Sequence, residues 1–162
     1  MPSTSRLRRP MKSLLILAAS LTLAGPAAAK GTGAVKVMSP WSRPAVAGSN
    51  GVGYMVLANP GRAADALTRV ESPIASRVDM HSSTMAGGVM SMQQEDRVAV
   101  PAGGQTTFGP GAYHLMFMGL TRTLKPGDAI PATLTFSSGA KVKARFAVSA
   151  GMGPPAMSGM AH

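Results

Sequence analysis

Hydrophobic and polar positions alternate in short runs from Val35 onward, and turns rich in Gly, Pro and Asn separate these runs. No long segment has the period of an amphipathic helix. The last run is the clearest, because Val142, Ala144, Phe146 and Val148 alternate with basic residues, so one face packs and the other meets water. Many short strands of this kind predict an all-β domain, an antiparallel β-sandwich or barrel.

Ten runs have the composition and length of strands. Their predicted bounds are 35–38, 52–58, 67–71, 77–82, 89–93, 97–100, 105–108, 113–120, 132–136 and 141–148. Four aromatic side chains are predicted to be core: Trp41, Tyr54, Phe136 and Phe146.

The N-terminal segment has the features of an export signal. Basic residues precede an apolar run at 14–23, and a stretch of alanines ends at Ala29. We expect a signal peptide over 1–29, cleavage after Ala29 and a periplasmic protein. The apolar run is too short to span a bilayer, so no membrane span is expected in the mature chain. Adjacent Arg8 and Arg9 leave twin-arginine export open beside the ordinary secretory route.

Two further segments follow: a β-domain over 30–148 and a flexible Met/His-rich tail over 149–162. The whole sequence carries a formal charge of +10 from 16 basic and 6 acidic residues. Four of the basic residues lie in the predicted signal peptide, and the others are scattered. We therefore expect a solvated basic surface and no nucleic-acid partner.

Cysteine is absent from the sequence, whereas methionine occurs 13 times. The lack of cysteine excludes a disulfide scaffold, a zinc ribbon and a thiolate copper centre for electron transfer. It also argues against a lipid anchor after the apolar run. Outside the signal segment, the methionines cluster between Met80 and Met118 and after Met152.

The strand that begins at Tyr113 combines two chemistries. Tyr113, Leu115 and Phe117 share one face by alternation, whereas His114 and Met116 share the other. The aromatic and aliphatic face is predicted to be core. The opposite face then presents an imidazole and a thioether that one metal ion can bridge.

A second segment can complete this site. Because successive side chains of a strand point to opposite faces, Met80 lies on one face of its strand and His81 on the other, away from the core. Met90 and Met92 fall on a common face after Gly87-Gly88, within reach of His81 if the two segments form a hairpin.

Two histidines and one or two methionines form a ligand set suited to Cu(I) and poor for Mg²⁺, Ca²⁺ or Zn²⁺. Taken singly, however, a strand methionine is more often core filler, because its side chain adapts to irregular gaps. Met85, Met90 and Met118 either assist as ligands or only line the site. The acidic residues have no catalytic spacing and no Ser/His/Asp arrangement is recognisable, so we expect no enzyme.

The residues His81, Met92, His114 and Met116 are separated by ten, twenty-one and one residues. This pattern resembles the signature of the periplasmic copper chaperone family PCuAC, and the resemblance extends over about 35–148. It implies a cupredoxin-like β-sandwich that binds one Cu(I) through these four residues. It further implies delivery of copper to the dinuclear centre of cytochrome c oxidase subunit II, sometimes with a Sco-type protein.

Family members commonly place a basic residue and a proline after the first motif methionine, whereas Gln93-Gln94-Glu95 follow Met92 here. The resemblance therefore predicts an altered docking surface. The tail either binds additional copper, including Cu(II), or is a terminus with incidental methionines; its candidate ligands are Met152, Met157, Met160 and His162. The expected function is a Cu(I) metallochaperone. The alternatives are a periplasmic copper-sequestering or resistance protein without a dedicated acceptor, and a metal-free interaction module.

Overall fold

The computed structural model describes residues 34–151 and 153, which contain ten β-strands and no helix. In chain order, the strands are β1 (Lys36–Ser42), β2 (Gly51–Ala58), β3 (Asp65–Glu71), β4 (Ala75–Ala86), β5 (Val89–Glu95), β6 (Val98–Val100), β7 (Gln105–Phe108), β8 (Tyr113–Leu120), β9 (Ala129–Phe136) and β10 (Lys141–Val148). Each matches one predicted run, so the prediction of an all-β fold is confirmed. The predicted signal peptide and almost all of the tail lie outside the described residues.

Two strands extend beyond their predicted bounds of 35–38 and 132–136 and run through a proline. Strand β1 continues past Pro40 because the pairing register with β2 shifts between Met38 and Trp41, and Ser39 there adopts a positive φ of 47°. Such a bulge accommodates a residue that has no N–H to donate. Strand β9 begins before Pro131, which lies beyond the segment that pairs with β3. The missing N–H of Pro131 therefore interrupts no pairing with β3.

The strands close into a ring in the order β4, β8, β2, β1, β10, β9 and β3, and β3 returns to β4. Strand β7 pairs with both β2 and β8, while β6 extends from β3. The β1–β10 and β7–β8 pairs are parallel, in contrast to the antiparallel pairing expected throughout. The parallel β1–β10 pair joins the first strand to the last, and the ring thereby closes without an open edge at that position.

The core fills the ring with side chains from nearly every strand. Phe136 and Phe146 belong to it, as predicted, and Phe146 meets Phe117 edge to face with ring centroids 5.6 Å apart. Trp41 and Tyr54 are also buried, and they pack against each other across β1 and β2 with centroids 4.7 Å apart. All four aromatic predictions are therefore confirmed.

Strands β4 and β5 form a hairpin that extends from the ring. Its two-residue turn is Gly87-Gly88, with φ values of 58° and 78°, the backbone region that glycine adopts without strain. At the opposite end of the hairpin, Ser82 Oγ donates a 2.6 Å hydrogen bond to Glu95 Oε1. Strand β5 pairs only with β4 among the described residues, so its outer edge is open.

Candidate metal centre

Three neighbouring antiparallel strands, β5, β4 and β8, carry the predicted ligands. The register places His81 of β4 directly opposite His114 of β8 and, on its other side, directly opposite Gln94 of β5. Residues directly opposite each other in an antiparallel pair project from the same face of the sheet. The two histidines therefore form one cross-strand row, with Gln94 at its end.

The two predicted methionines lie in the rows on either side. Met92 is opposite Ser83, two residues beyond His81 along β4. Met116 is opposite Asp79, two residues before His81. Because alternate residues of a strand share a face, both methionines project from the same face as the histidines. The fold thus brings all four predicted residues onto three successive rows of one surface.

The imidazoles of His81 and His114 approach each other edge to face, with centroids 5.7 Å apart and planes at 85°. His114 is buried, and its Nδ1 lies 3.2 Å from the carbonyl oxygen of Ala112. A carbonyl can only accept, so Nδ1 carries the proton and donates it. This backbone contact orients the ring and leaves the lone pair of Nε2 available for a metal ion.

His81 offers a complementary nitrogen. Its Nδ1 is buried and has no hydrogen-bond partner within the part of the chain that the structure describes. A buried polar atom without a partner is costly, and such atoms are uncommon in folded proteins. Metal ligation through the Nδ1 lone pair would remove that cost. Metal–nitrogen bonds to imidazole are about 2 Å long, so the separation of the rings suits one bridging ion.

Exposure changes across the site. His114 is only 6% exposed, His81 and Met116 are half-buried, and Met92 on the open edge strand is 56% exposed. The β8 side is therefore fixed within the wall of the ring, whereas the β5 side is accessible to solvent and to other molecules.

An ion pair lies beside the site. Asp79, opposite Met116, accepts a 2.8 Å hydrogen bond from Nε of Arg77, and its side chain is far less exposed than that of Arg77. The carboxylate charge is thus largely balanced before any cation binds. Asp79 therefore lies beside Met116 as half of an ion pair and not as a free carboxylate.

No group of three or more His, Cys, Asp or Glu side chains converges anywhere in residues 34–151 and 153. The further donors on the same face as the histidine pair include the thioethers of Met92 and Met116. Imidazole and thioether donors favour a soft ion over hard divalent cations.

Other predicted residues have different positions. Met85 and Met90 share the face of the site but lie farther along the hairpin, directly opposite each other, while Met118 is opposite Arg77. The four candidate residues of the tail lie outside the described residues: Met152, Met157, Met160 and His162.

Sequence reasoning missed two participants. The carbonyl of Ala112 orients His114, and no side-chain pattern reveals a backbone acceptor. Gln94 lies directly opposite His81, although the sequence had marked it only as part of a departure from the family pattern. Among the three residues that follow Met92, Gln94 faces the site, whereas Gln93 and Glu95 project from the other face of the hairpin.

Comparisons with known proteins agree with this fold. Residues 35–148 match the family described as "Putative lipoprotein LpqE-like". The chain is 31% identical over 149 residues to "Putative lipoprotein Lxx21020" of Leifsonia xyli subsp. xyli, covering 86% of this chain and 87% of that protein.

Two solved structures extend the comparison. The copper-bound PCuAC domain from PmoF2 is 26% identical, with a TM-score of 0.61 over 72% of this chain and 93% of its own. The Cu(I) form of DR1885 from Deinococcus radiodurans is 26% identical, with a TM-score of 0.57 over 79% of this chain and 89% of its own. The resemblance to PCuAC is thereby confirmed, and the chain belongs to the LpqE-like family, with the all-β, cupredoxin-like fold of PCuAC domains.

Proposed function

We propose that this protein binds one Cu(I) ion through His81, Met92, His114 and Met116 and carries it to another protein. The observation that carries this proposal is the direct opposition of the two histidines, one with a buried nitrogen that lacks a partner. Thioether-bearing rows flank this pair on both sides. The copper-bound states of the PmoF2 and DR1885 domains support copper as the cargo.

The donor set favours the reduced ion. Thioether sulfur is a soft donor and imidazole is borderline, so together they suit Cu(I). Thioethers carry no proton to lose and form no disulfide, so they avoid the disulfide chemistry that would disable a cysteine site in an oxidising compartment. A neutral thioether also binds less strongly than a thiolate, so transfer to a cysteine-containing acceptor is downhill.

The exposure gradient gives each ligand a role in transfer. His114 is held by Ala112 and buried in the wall, so we expect it to be the ligand that moves least during transfer. Met92, on the open edge strand, is the ligand that an incoming acceptor can replace first. Release then proceeds by exchange of one ligand at a time, without a change in oxidation state.

The acceptor forms a further part of the proposal. We infer export to the periplasm, consistent with the lipoprotein names of the relatives, and delivery toward the dinuclear copper centre of cytochrome c oxidase subunit II, alone or with a Sco-type protein. The role proposed is that of a carrier, not an enzyme. Among the described residues, no helix is long and apolar enough to cross a membrane.

Competition titration with a chromogenic Cu(I) chelator under reducing conditions tests the site. We expect His81→Ala and Met116→Leu each to weaken Cu(I) binding by at least about tenfold. Mutating a residue that only hydrogen-bonds to a metal ligand already lowers metal affinity by about 10–100-fold. Met38→Leu is the matched control, because Met38 is about as exposed as Met92 but lies on β1, away from the site. If His81→Ala combined with Met116→Leu leaves affinity and stoichiometry unchanged, the site assignment is wrong.

A deletion strain tests the destination of the copper. Loss of oxidase activity that added copper restores is the expected result for a carrier. Normal oxidase together with increased copper sensitivity would instead establish sequestration without a dedicated acceptor.

A further inference from the structure

The tip of the β4–β5 hairpin carries a second group of thioethers. Met85 and Met90 are directly opposite each other, one residue from the ends of the strands that flank the Gly87-Gly88 turn. Both project from the same face as Met92 and His81, because each is separated from one of them along its strand by an even number of residues. The thioether-bearing surface therefore continues from the site to the tip.

These side chains are exposed to a degree that packing does not explain. Met85 is 68% exposed and Met90 is 58% exposed, although methionine is usually buried in folded proteins. Neither belongs to the hydrophobic core or to the side chains packed against it. Exposed edge strands usually carry charged residues, which prevent association with other chains. The tip of this hairpin instead exposes a further apolar side chain, that of Val89. The exposed thioethers thus require a reason other than folding.

We propose that Met85 and Met90 form a second, weaker Cu(I) position at the hairpin tip, where the ion binds before it passes through Met92 to the histidine pair. This inference rests on the proposed function, because it assumes that copper is the cargo. The exposed methionines of the hairpin tip, which are not among the four ligands of the main site, then provide the route by which copper is loaded.

The spacing allows such a position. Side chains directly opposite each other in an antiparallel pair have Cβ atoms about 4.5–5.5 Å apart. A metal–sulfur bond is about 2.3 Å long, so two flexible thioethers at this spacing can hold one ion between them. Met92 is two residues from Met90 along β5, within reach of a long side chain.

Transfer along the hairpin needs no redox step and no proton. The ion remains Cu(I). At each stage one neutral donor replaces another in its coordination shell: sulfur replaces sulfur along the methionines, and imidazole nitrogen replaces sulfur at the histidine pair. Two thioethers bind more weakly than two thioethers plus two imidazoles, so the ion moves toward His81 and His114. The exposed thioethers at the tip permit rapid capture, while the buried end of the site retains the ion.

Methionine-methyl NMR on the exported chain, tail included, tests the route. With ¹³C-labelled methionine methyl groups, the first equivalent of Ag(I), a redox-stable probe for Cu(I), should shift Met92 and Met116. Further Ag(I) should shift Met85 and Met90. The double variant M85L/M90L retains an apolar tip but has no sulfur there, so it separates coordination from hydrophobic docking.

In a kinetic assay, uptake of Cu(I) from a chelator should slow several-fold in M85L/M90L, while the affinity of the first equivalent stays unchanged. The control M38L should match the wild type in both measurements. Unshifted Met85 and Met90 methyls, or wild-type uptake by M85L/M90L, would overturn the tip site while leaving the proposed function intact. If Met92 and Met116 also failed to shift, the proposed function itself would fail.

Discussion

Gly53 of β2 lies where an added side chain would meet the core side of β8, the strand that carries His114 and Met116. It pairs with Leu115 on β8 and lies over the ring of Phe117. A Cβ added at this position would lie 2.6 Å from Phe117 Cε2 and 3.3 Å from Phe146 Cδ1. We therefore predict that Gly53→Ala destabilises the domain and disturbs the strand that carries Met116.

The magnitude follows from the geometry. Carbon atoms in contact normally lie about 3.5–4.0 Å apart, so the Phe117 ring must move by about an ångström. That ring is fully buried and held edge to face by Phe146. Overpacking of this kind costs about 1–3 kcal/mol, partly offset by the roughly 0.5–1 kcal/mol gained when glycine leaves a strand. The expected net loss is about 1–2 kcal/mol, or roughly 5–10 °C in Tm.

Chemical denaturation followed by the fluorescence of Trp41, which is the single tryptophan and is buried, measures this loss. Gly109→Ala is the matched control, since a Cβ there meets only Thr107 Cγ2 at 3.9 Å. The control should stay within about 0.5 kcal/mol of the wild type. Equal stability of the two variants would refute the packing argument.

Three further predictions concern stability and the hairpin. Burial raises the pKa of Asp65, but hydrogen bonds from Ser138, Ala66 and Ser137 outweigh burial and lower that pKa below 3.8. A lowered pKa stabilises the fold above the unfolded value, and this effect is lost as pH falls through the folded value. Asp65→Asn should therefore destabilise the domain at neutral pH and do so less in strong acid; a loss that is constant with pH in urea denaturation would contradict this. Gly88→Ala should strain the hairpin turn by about 1 kcal/mol and weaken Cu(I) binding. Gly88→Asn should strain the turn less, because asparagine tolerates a positive φ. Equal Cu(I) affinities of the two variants would count against a role of the hairpin in binding. Phe146→Ala should cost about 3–5 kcal/mol in thermal unfolding, and a loss below about 1 kcal/mol would show that the core is packed differently.

Much of the fold could be predicted from periodicity alone. The alternation in β8 correctly assigned Leu115 and Phe117 to the core and His114 to the opposite face, because side chains alternate strictly along a strand. The same rule assigned Met80 to the core and His81 to the opposite face of β4. Local pattern failed at Pro40 and Pro131, where tertiary pairing accommodates residues that usually end strands.

The geometry of the site depends on register, which parity does not determine. Sequence alone could not show that His81 lies directly opposite His114 or that Met92 lies one row away, because a shift of two residues preserves parity while changing every partner. The parallel β1–β10 and β7–β8 pairs likewise arise from the path of the whole chain. Burial of the His81 nitrogen and the contact between His114 and Ala112 emerge only after the ring has closed.

X-ray absorption spectroscopy at the copper edge tests the central claim most directly. The chain from Lys30 onward, loaded with one equivalent of Cu(I), should show nitrogen donors at about 2.0 Å and sulfur donors at about 2.3 Å, in equal numbers. Met92→Leu should remove part of the sulfur contribution and leave the nitrogen contribution unchanged. A shell of nitrogen and oxygen without sulfur, or of sulfur without nitrogen, would contradict the four-residue site.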